Sequence, residues 1–378
     1  MKIGFDAKRA ILNYTGLGNY SRLAIDVVSS AWPDNKYILY TPRRRHNDRM
    51  ADLLHRQCIS VSTPDTLSGR ILSQLWRSKG ITGQLVRDGI DLYHGLSNEL
   101  PAGIASTGIA SVVTIHDVIF IPHPEFYHRA DVVICRRKFG YAAKVADRII
   151  AISECTRRDI VDHYGVDPGK IDVVYQGCHP SFYMPLSAEA IGVIKKKYML
   201  PQRYIVAVGT VEARKNALLA VKALRGLPAD VTLVIIGRRT DYARLLDDEI
   251  AASGLQRRVR FVEGVPFADL PALYAGSVFA SYTSFYEGFG IPVIEAVASG
   301  VPVIAATGSC LEEAGGPGAM YVNPRDTDQY VTYARMLLDD AELRRRMVDA
   351  GRAYITRFSF DNFADGLTGV YRKALQSK

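Results

Sequence analysis

Short apolar runs alternate along this chain with longer amphipathic stretches. Lys2–Asp6 reads as an opening strand, Tyr37–Tyr40 as a second, and Asp91–His94 and Ser111–Ile115 as short runs ending at polar residues. Arg148–Ile152 and Ile171–Tyr175 complete a first series. Gly16 and Gly18 mark a loop before an expected helix over Tyr20–Ser30, and Ser153 suits the N-cap of the helix that follows its strand. A second series begins after a Pro- and Ser-containing stretch around His179–Ala188. Its strands are Tyr204–Val208, Val231–Ile236, Val259–Val262, Val278–Ser281 and Pro302–Ala305, with a helix expected over Asn216–Leu224. Strand–helix alternation of this kind implies parallel sheets covered by helices on both faces. The expectation is an α/β chain of two doubly wound, Rossmann-like domains, residues 1–185 and 200–355. Residues 356–378 hold an amphipathic helix over Phe360–Leu375, and the pattern leaves open whether it packs back on the first domain. Ligands of such sheets sit at the carboxyl ends of the strands, and two facing domains would leave a central cleft where motifs should gather.

A length of 378 residues fits two domains. With 48% hydrophobic and 23% charged residues, wholesale disorder is excluded. The five cysteines (Cys58, Cys135, Cys155, Cys178, Cys310) are odd in number, widely spaced and free of any C-x-x-C pair. They suggest reduced thiols of a cytosolic protein rather than a disulfide framework or zinc site. No apolar leader and no eighteen-residue apolar window is visible, so a cytoplasmic location is expected. The net charge of +8 suits an anionic substrate or membrane surface. Its densest run is Arg43–Arg45, followed by Arg49 and Arg56, and a peripheral contact with the inner face of the membrane is one expectation for it. No nucleic-acid-binding signature accompanies the charge, so nucleic acid is not an expected partner.

The most informative stretch is Ser284–Ala296, containing Glu287-Gly288-Phe289-Gly290-Ile291-Pro292 and then Glu295. Pro292 suits the first turn of a helix, which leaves Glu287 in the loop before it and Glu295 about one turn inside. Backbone N–H groups of a glycine-rich loop and the helix dipole suit a phosphate, whereas carboxylates accept hydrogen bonds from sugar hydroxyls. Together they read as a site for a nucleotide sugar. The second stretch is Gly209-Thr210-Val211-Glu212-Ala213-Arg214-Lys215-Asn216. A cation pair at a helix start is unfavourable with the dipole, which points to a ligand; Arg214 and Lys215 would hold a diphosphate without a metal. In the first half, Gly16-Leu17-Gly18 lacks the full dinucleotide fingerprint, and His116-Asp117 ends a strand where a functional residue would face the cleft. No Asp-x-Asp metal motif closes a strand, and neither metal nor cofactor is expected.

These features together resemble the retaining glycosyltransferases of family 4, with the GT-B fold. The resemblance runs nearly end to end, through Gly16-Leu-Gly18, His116-Asp117, Ser153–Thr156, Gly209–Asn216, Phe261–Val265, and Glu287 and Glu295 at the E-x7-E spacing. The Gly-Thr-x-Glu-x-Arg-Lys-Asn form resembles bacterial polysaccharide mannosyl- and rhamnosyltransferases. It departs from many members, which carry Gly-Arg where this chain has Gly209-Thr210. The resemblance implies the following roles. Glu295 would bind the donor ribose, and Glu287 the transferred sugar with the amides of Gly288, Phe289 and Gly290. Arg214 and Lys215, near Gly209 and Thr210, would bind the diphosphate. Arg238 and Val265 would lie near the base, Gly16 and Gly18 near phosphate and acceptor, and His116 near the donor sugar. The expected activity is metal-independent transfer from a nucleotide sugar, GDP-mannose first, to a glycan or polyprenyl-diphosphate-linked acceptor. Loops Thr63–Gly80 and Pro122–Arg129 would shape acceptor choice. The alternatives are a UDP-glucose or UDP-N-acetylglucosamine transferase, a nucleotide-sugar epimerase or phosphorylase, and a degenerate binding subunit.

Overall fold

The computed structural model describes residues 1–66 and 75–378, so part of the Thr63–Gly80 loop lies outside the described residues. The chain forms two compact units, Met1–Gln176 together with Ser359–Lys378, and Gly177–Phe358.

In the first unit the strands are β1 (Lys2–Asp6), β2 (Lys36–Tyr40), β3 (Ile59–Ser62), β4 (Leu92–Gly95), β5 (Ala110–Ile115), β6 (Arg148–Ala151) and β7 (Ile171–Val173). Among the described residues they make one parallel sheet in the order β3-β2-β1-β4-β5-β6-β7. The order reverses between β1 and β4, which places a ligand crevice at the carboxyl ends of the central strands. Every residue of β4 and β5 is buried, as expected for strands covered on both faces. The helix Phe360–Gln376 belongs to this unit: Phe363 meets Tyr20 at 5.7 Å between ring centroids, and the Tyr371 hydroxyl lies 2.7 Å from His94 Nδ1.

The second unit carries β8 (Arg203–Val208), β9 (Val231–Ile236), β10 (Val259–Val262), β11 (Phe279–Tyr282), β12 (Val303–Ala306) and β13 (Ala319–Val322). They form a parallel sheet in the order β10-β9-β8-β11-β12-β13. The reversal falls between β8 and β11, so the loops that leave these neighbours, Gly209–Asn216 and Thr283–Gly290, emerge side by side. That adjacency brings together two motifs about 70 residues apart in the chain.

The structure departs from the sequence pattern at three points. Strands β3 and β13 are additional to those the pattern predicts. Both are sheet edges, and an edge strand has only one neighbour and a weaker apolar signature. The glycines at 16 and 18 are not a loop before the helix, because the helix runs from Gly16 to Ala31 with Thr15 at its N-cap. Gly18 is there for space: a Cβ added to it would stand 2.1 Å from the Asn13 carbonyl oxygen, whereas one on Gly16 would meet nothing within 4 Å.

Gly18→Ala should therefore lower stability by about 1–3 kcal/mol, the usual cost of forced overpacking. Gly16→Ala should be neutral or stabilising by up to about 1 kcal/mol through helix propensity. Urea unfolding of the two variants checks both signs.

Candidate functional site

The two adjacent loops of the second unit are held together by backbone and side-chain hydrogen bonds. Gly209 follows β8 with φ 148°, and its N–H donates to the Ile236 carbonyl at 2.9 Å. Gly237, at φ 152°, lies so close that a Cβ on it would stand 2.0 Å from the Gly209 oxygen. A short turn, Ala213–Lys215, ends at Asn216 in the left-handed region (φ 51°), which asparagine tolerates better than most residues. Asn216 Nδ2 donates to the carbonyls of Thr283 (3.1 Å) and Pro324 (2.8 Å), and Thr283 Oγ1 donates back to the Asn216 carbonyl (3.0 Å). The Phe285 N–H donates to the Arg214 carbonyl at 2.8 Å.

This stitching fixes a charge cluster. Glu287 Oε1 accepts from Lys215 Nζ (2.7 Å), Ser284 Oγ (2.8 Å) and the Tyr282 hydroxyl (3.1 Å), and Oε2 pairs with Arg214 Nη1 at 2.6 Å. The Glu287 side chain is only 11% exposed. Burial alone would raise its pKa, but Lys215 and Arg214 hold it down at about 2. The same carboxylate outweighs the effect of burial on both cations and raises their pKa values. Arg214 also donates to the Tyr286 carbonyl (2.7 Å) and to Glu212 Oε1 (2.9 Å). Lys215 donates to the Tyr282 hydroxyl (2.8 Å). The two cations assigned above to a diphosphate and the acid assigned to a sugar are thus ion-paired with one another.

Glu295 lies on the helix Ile291–Ala298, and its Oε2 accepts from the Tyr274 hydroxyl at 3.3 Å. Burial pushes its carboxyl up to about 7, against the lowering effect of that hydrogen bond. Gly290 precedes the helix at φ 123°, where a Cβ would press to 2.9 Å on Leu311 Cδ2. The Cys310 thiol lies within hydrogen-bond reach of the carbonyls of Glu287 (3.0 Å) and Phe289 (2.8 Å). Gly288 and Phe289 are buried, with the Phe289 ring edge-on to Phe358 at 5.3 Å. Thr210 follows Gly209 and is half-buried. Arg238 is exposed after β9 and Val265 half-buried after β10; neither is a partner of the Glu287 cluster.

His116 belongs to the first unit, at the end of β5. Its backbone N–H donates to Asn98 Oδ1 (2.7 Å), and its Nε2 lies 2.9 Å from the Leu96 carbonyl. A carbonyl can only accept, so Nε2 carries the proton. The Tyr20 ring stands edge-on at 4.5 Å, and burial lowers the imidazole pKa to about 4, which keeps it neutral at pH 7. Beneath it, the Tyr20 hydroxyl, Thr114, His94 and Tyr371 form one hydrogen-bonded row. Gly16 is exposed and Gly18 buried under the Asn13 carbonyl. Arg43, Arg44 and Arg45 are exposed, whereas Arg56 is paired with Asp26 at 2.5 Å and Arg49 donates to the Tyr14 carbonyl. Among the described residues no group of three His, Cys, Asp or Glu is placed to hold a metal ion. No helix among them is long and apolar enough to cross a membrane.

Tyr282 and Tyr274 lie outside the sequence motifs, and Ser284 stands at the edge of one with no role assigned to it. For Tyr282 a signal existed, since it is the last residue of a central strand, where side chains reach the ligand edge.

Two family profiles match in succession. One described as Glycosyltransferase Family 4 matches residues 29–182, and one described as Glycosyl transferases group 1 matches residues 193–354. Among curated relatives, the O-antigen chain mannosyltransferase B of Escherichia coli is 28% identical over 286 residues, 74% of each chain. The O-antigen chain mannosyltransferase RfbU of Salmonella typhimurium is 30% identical over 252 residues, 66% of each chain. Among solved structures, Anabaena Alr3699/HepE in complex with UDP-glucose superposes with a TM-score of 0.76 at 18% identity. That match covers 98% of this chain and 99% of the other, and it establishes the shared two-domain GT-B architecture.

The raised pKa of Glu295 makes the stability of the fold depend on pH. A carboxyl that holds its proton more tightly when folded adds stability below its unfolded value, 4.5, and loses that contribution as pH rises through about 7. Relative to Glu295→Gln, the unmodified chain should lose stability between pH 5 and pH 7.5. Parallel unfolding curves at the two pH values read the difference.

Proposed function

Because the chain belongs to the group 1 and family 4 glycosyltransferases, we propose that it is a retaining mannosyltransferase. It takes mannose from GDP-mannose and passes it to a lipid-linked or oligosaccharide acceptor in bacterial surface polysaccharide synthesis. The observation that carries the reading is the Arg214–Glu287–Lys215 cluster at the topological reversal of the second sheet. The mannose assignment draws on the two O-antigen mannosyltransferases that the chain resembles.

In this mechanism negative charge develops on the β-phosphate as the sugar leaves. Lys215 has three N–H bonds, two of which go to Tyr282 and Glu287; the third serves the diphosphate, alongside the Arg214 guanidinium and the backbone near Gly209 and Thr210. The cations are already ordered and nearly dry, so they need little reorganisation when charge appears. Glu287 is ionised throughout the working pH range and accepts a sugar hydroxyl, with the amides of Gly288, Phe289 and Gly290 beside it. Glu295 accepts from the ribose, and Arg238 and Val265 border the base. His116, neutral with its proton on Nε2, offers Nδ1 as an acceptor to the donor sugar. Gly16 and Gly18 lie at the start of the helix assigned to the phosphate and acceptor side. No metal takes part, and the leaving phosphate helps to deprotonate the acceptor.

Transfer of radiolabelled mannose from GDP-mannose to a polyprenyl-diphosphate-linked glycan, with EDTA present, tests the proposal. Lys215→Ala and Glu287→Gln should each slow it by about a hundred- to a thousandfold. Transfer from UDP-glucose instead would replace the donor and keep the reaction class. Hydrolysis or epimerisation without an acceptor product would overturn transfer itself.

A peripheral membrane contact is part of the same proposal. Arg43–Arg45 are exposed, and the helix Arg129–Val145 shows Val133 (54% exposed) and Ile134 (50%) beside exposed Arg136 and Arg137. Each basic residue near an anionic leaflet is worth about 1 kcal/mol. The chain should co-sediment with phosphatidylglycerol-containing vesicles, less so in high salt or as Arg136→Glu/Arg137→Glu, and not with pure phosphatidylcholine. Equal sedimentation with both vesicles would remove the electrostatic contact.

A further inference from the structure

Tyr282 is the described residue whose side chain hydrogen-bonds both Lys215 and Glu287. Its hydroxyl lies 2.8 Å from Lys215 Nζ and 3.1 Å from Glu287 Oε1, and its ring centroid lies 5.0 Å from the ammonium. The proton directions in this triangle are forced. An ammonium can only donate and an ionised carboxylate can only accept. The hydroxyl therefore accepts from Lys215 and donates to Glu287. Burial raises the phenol pKa, so that proton stays in place at neutral pH.

Two geometric consequences follow. First, Lys215 is held by two bonds about 67 and 72 residues away in sequence, both on the β11 side. With two N–H directions fixed, the third has one direction rather than a cone of them. Second, Glu287 Oε1 receives three donors, Lys215, Tyr282 and Ser284, while Oε2 meets Arg214. Oε1 is full, and an incoming hydroxyl is left with Oε2.

We propose that Tyr282 is a positioning residue for the transfer reaction. It aims the remaining N–H of Lys215 and, with Ser284, closes Oε1 so that the donor sugar is received at Oε2. The inference rests on the proposed function, because it takes Lys215 and Glu287 to act on the donor. It extends that reading to two residues that touch no substrate and act through those that do.

Tyr282→Phe removes the hydroxyl and keeps the ring over the ammonium. The expected result is a kcat lowered by roughly ten- to a hundredfold, the cost of a small misplacement, with KM for the nucleotide sugar changed less than about threefold. Ser284→Ala should lower kcat in the same sense, and Ser284→Thr, which restores a hydroxyl, should recover most of it. A Tyr282→Phe variant with reduced thermal stability but normal kcat would overturn the proposal, as would equal loss from Ser284→Thr and Ser284→Ala. The contact is also read without turnover, by a double-mutant cycle of Tyr282→Phe and Lys215→Met in urea unfolding. Effects that couple support the triangle, and effects that simply add overturn it. Absence of sugar transfer by the unmodified chain, with coupling intact, would count against the assigned reaction and leave the triangle standing.

Discussion

Glu287 sits almost out of water with Arg214 and Lys215 on its two oxygens, and the loops around it are built to keep that charge paired. A buried ion cluster contributes little net stability, since desolvation offsets much of the attraction, yet removing one member leaves an uncompensated charge and costs several kcal/mol. The surrounding structure answers that asymmetry. Asn216 adopts a left-handed conformation, Gly209 and Gly237 give up their side chains so that two loops can touch, and Thr283 and Phe285 tie one loop to the other. Apart from Gly209, whose backbone borders the proposed diphosphate site, none of these residues has an assigned ligand role. Their common effect is to hold two cations and an acid in register, where only a further anion or a hydroxyl can add to the arrangement.

The fold was largely legible from the chain because parallel strands covered on both faces leave continuous apolar runs, as in Val231–Ile236. The edges were less so. Ile59–Ser62 alternates over only four residues, and Ala319–Val322 is mostly half-buried, so neither stands out from its surroundings. The first-turn glycines of the helix Gly16–Ala31 resemble a loop in sequence because glycine is usually a helix breaker. Only the position of the Asn13 carbonyl reveals that one of them is a packing requirement.

Much of the candidate site was legible for a chemical reason: cations and acids in glycine-rich loops after strands have few structural explanations. The partners were not. Tyr282, Tyr274 and Ser284 are ordinary residues in sequence, and their significance comes from distances to atoms contributed by other loops. The mutual pairing of Arg214, Lys215 and Glu287 is hidden for the same reason, since neither motif alone shows which residues the other brings beside it.

The helix Phe360–Gln376 belongs to the first unit although the whole second unit precedes it in the chain. Its Tyr371 hydroxyl meets His94, a fully buried imidazole on the central strand β4, and its Phe363 lies against Tyr20. Until residues 359–378 have been translated, the first unit lacks part of its own interior, and His94 has lost one of its two hydrogen-bond partners. The first half of the polypeptide to leave the ribosome is therefore among the last to be finished. The second unit is an uninterrupted stretch from Gly177 to Phe358 and waits for no later segment of the chain.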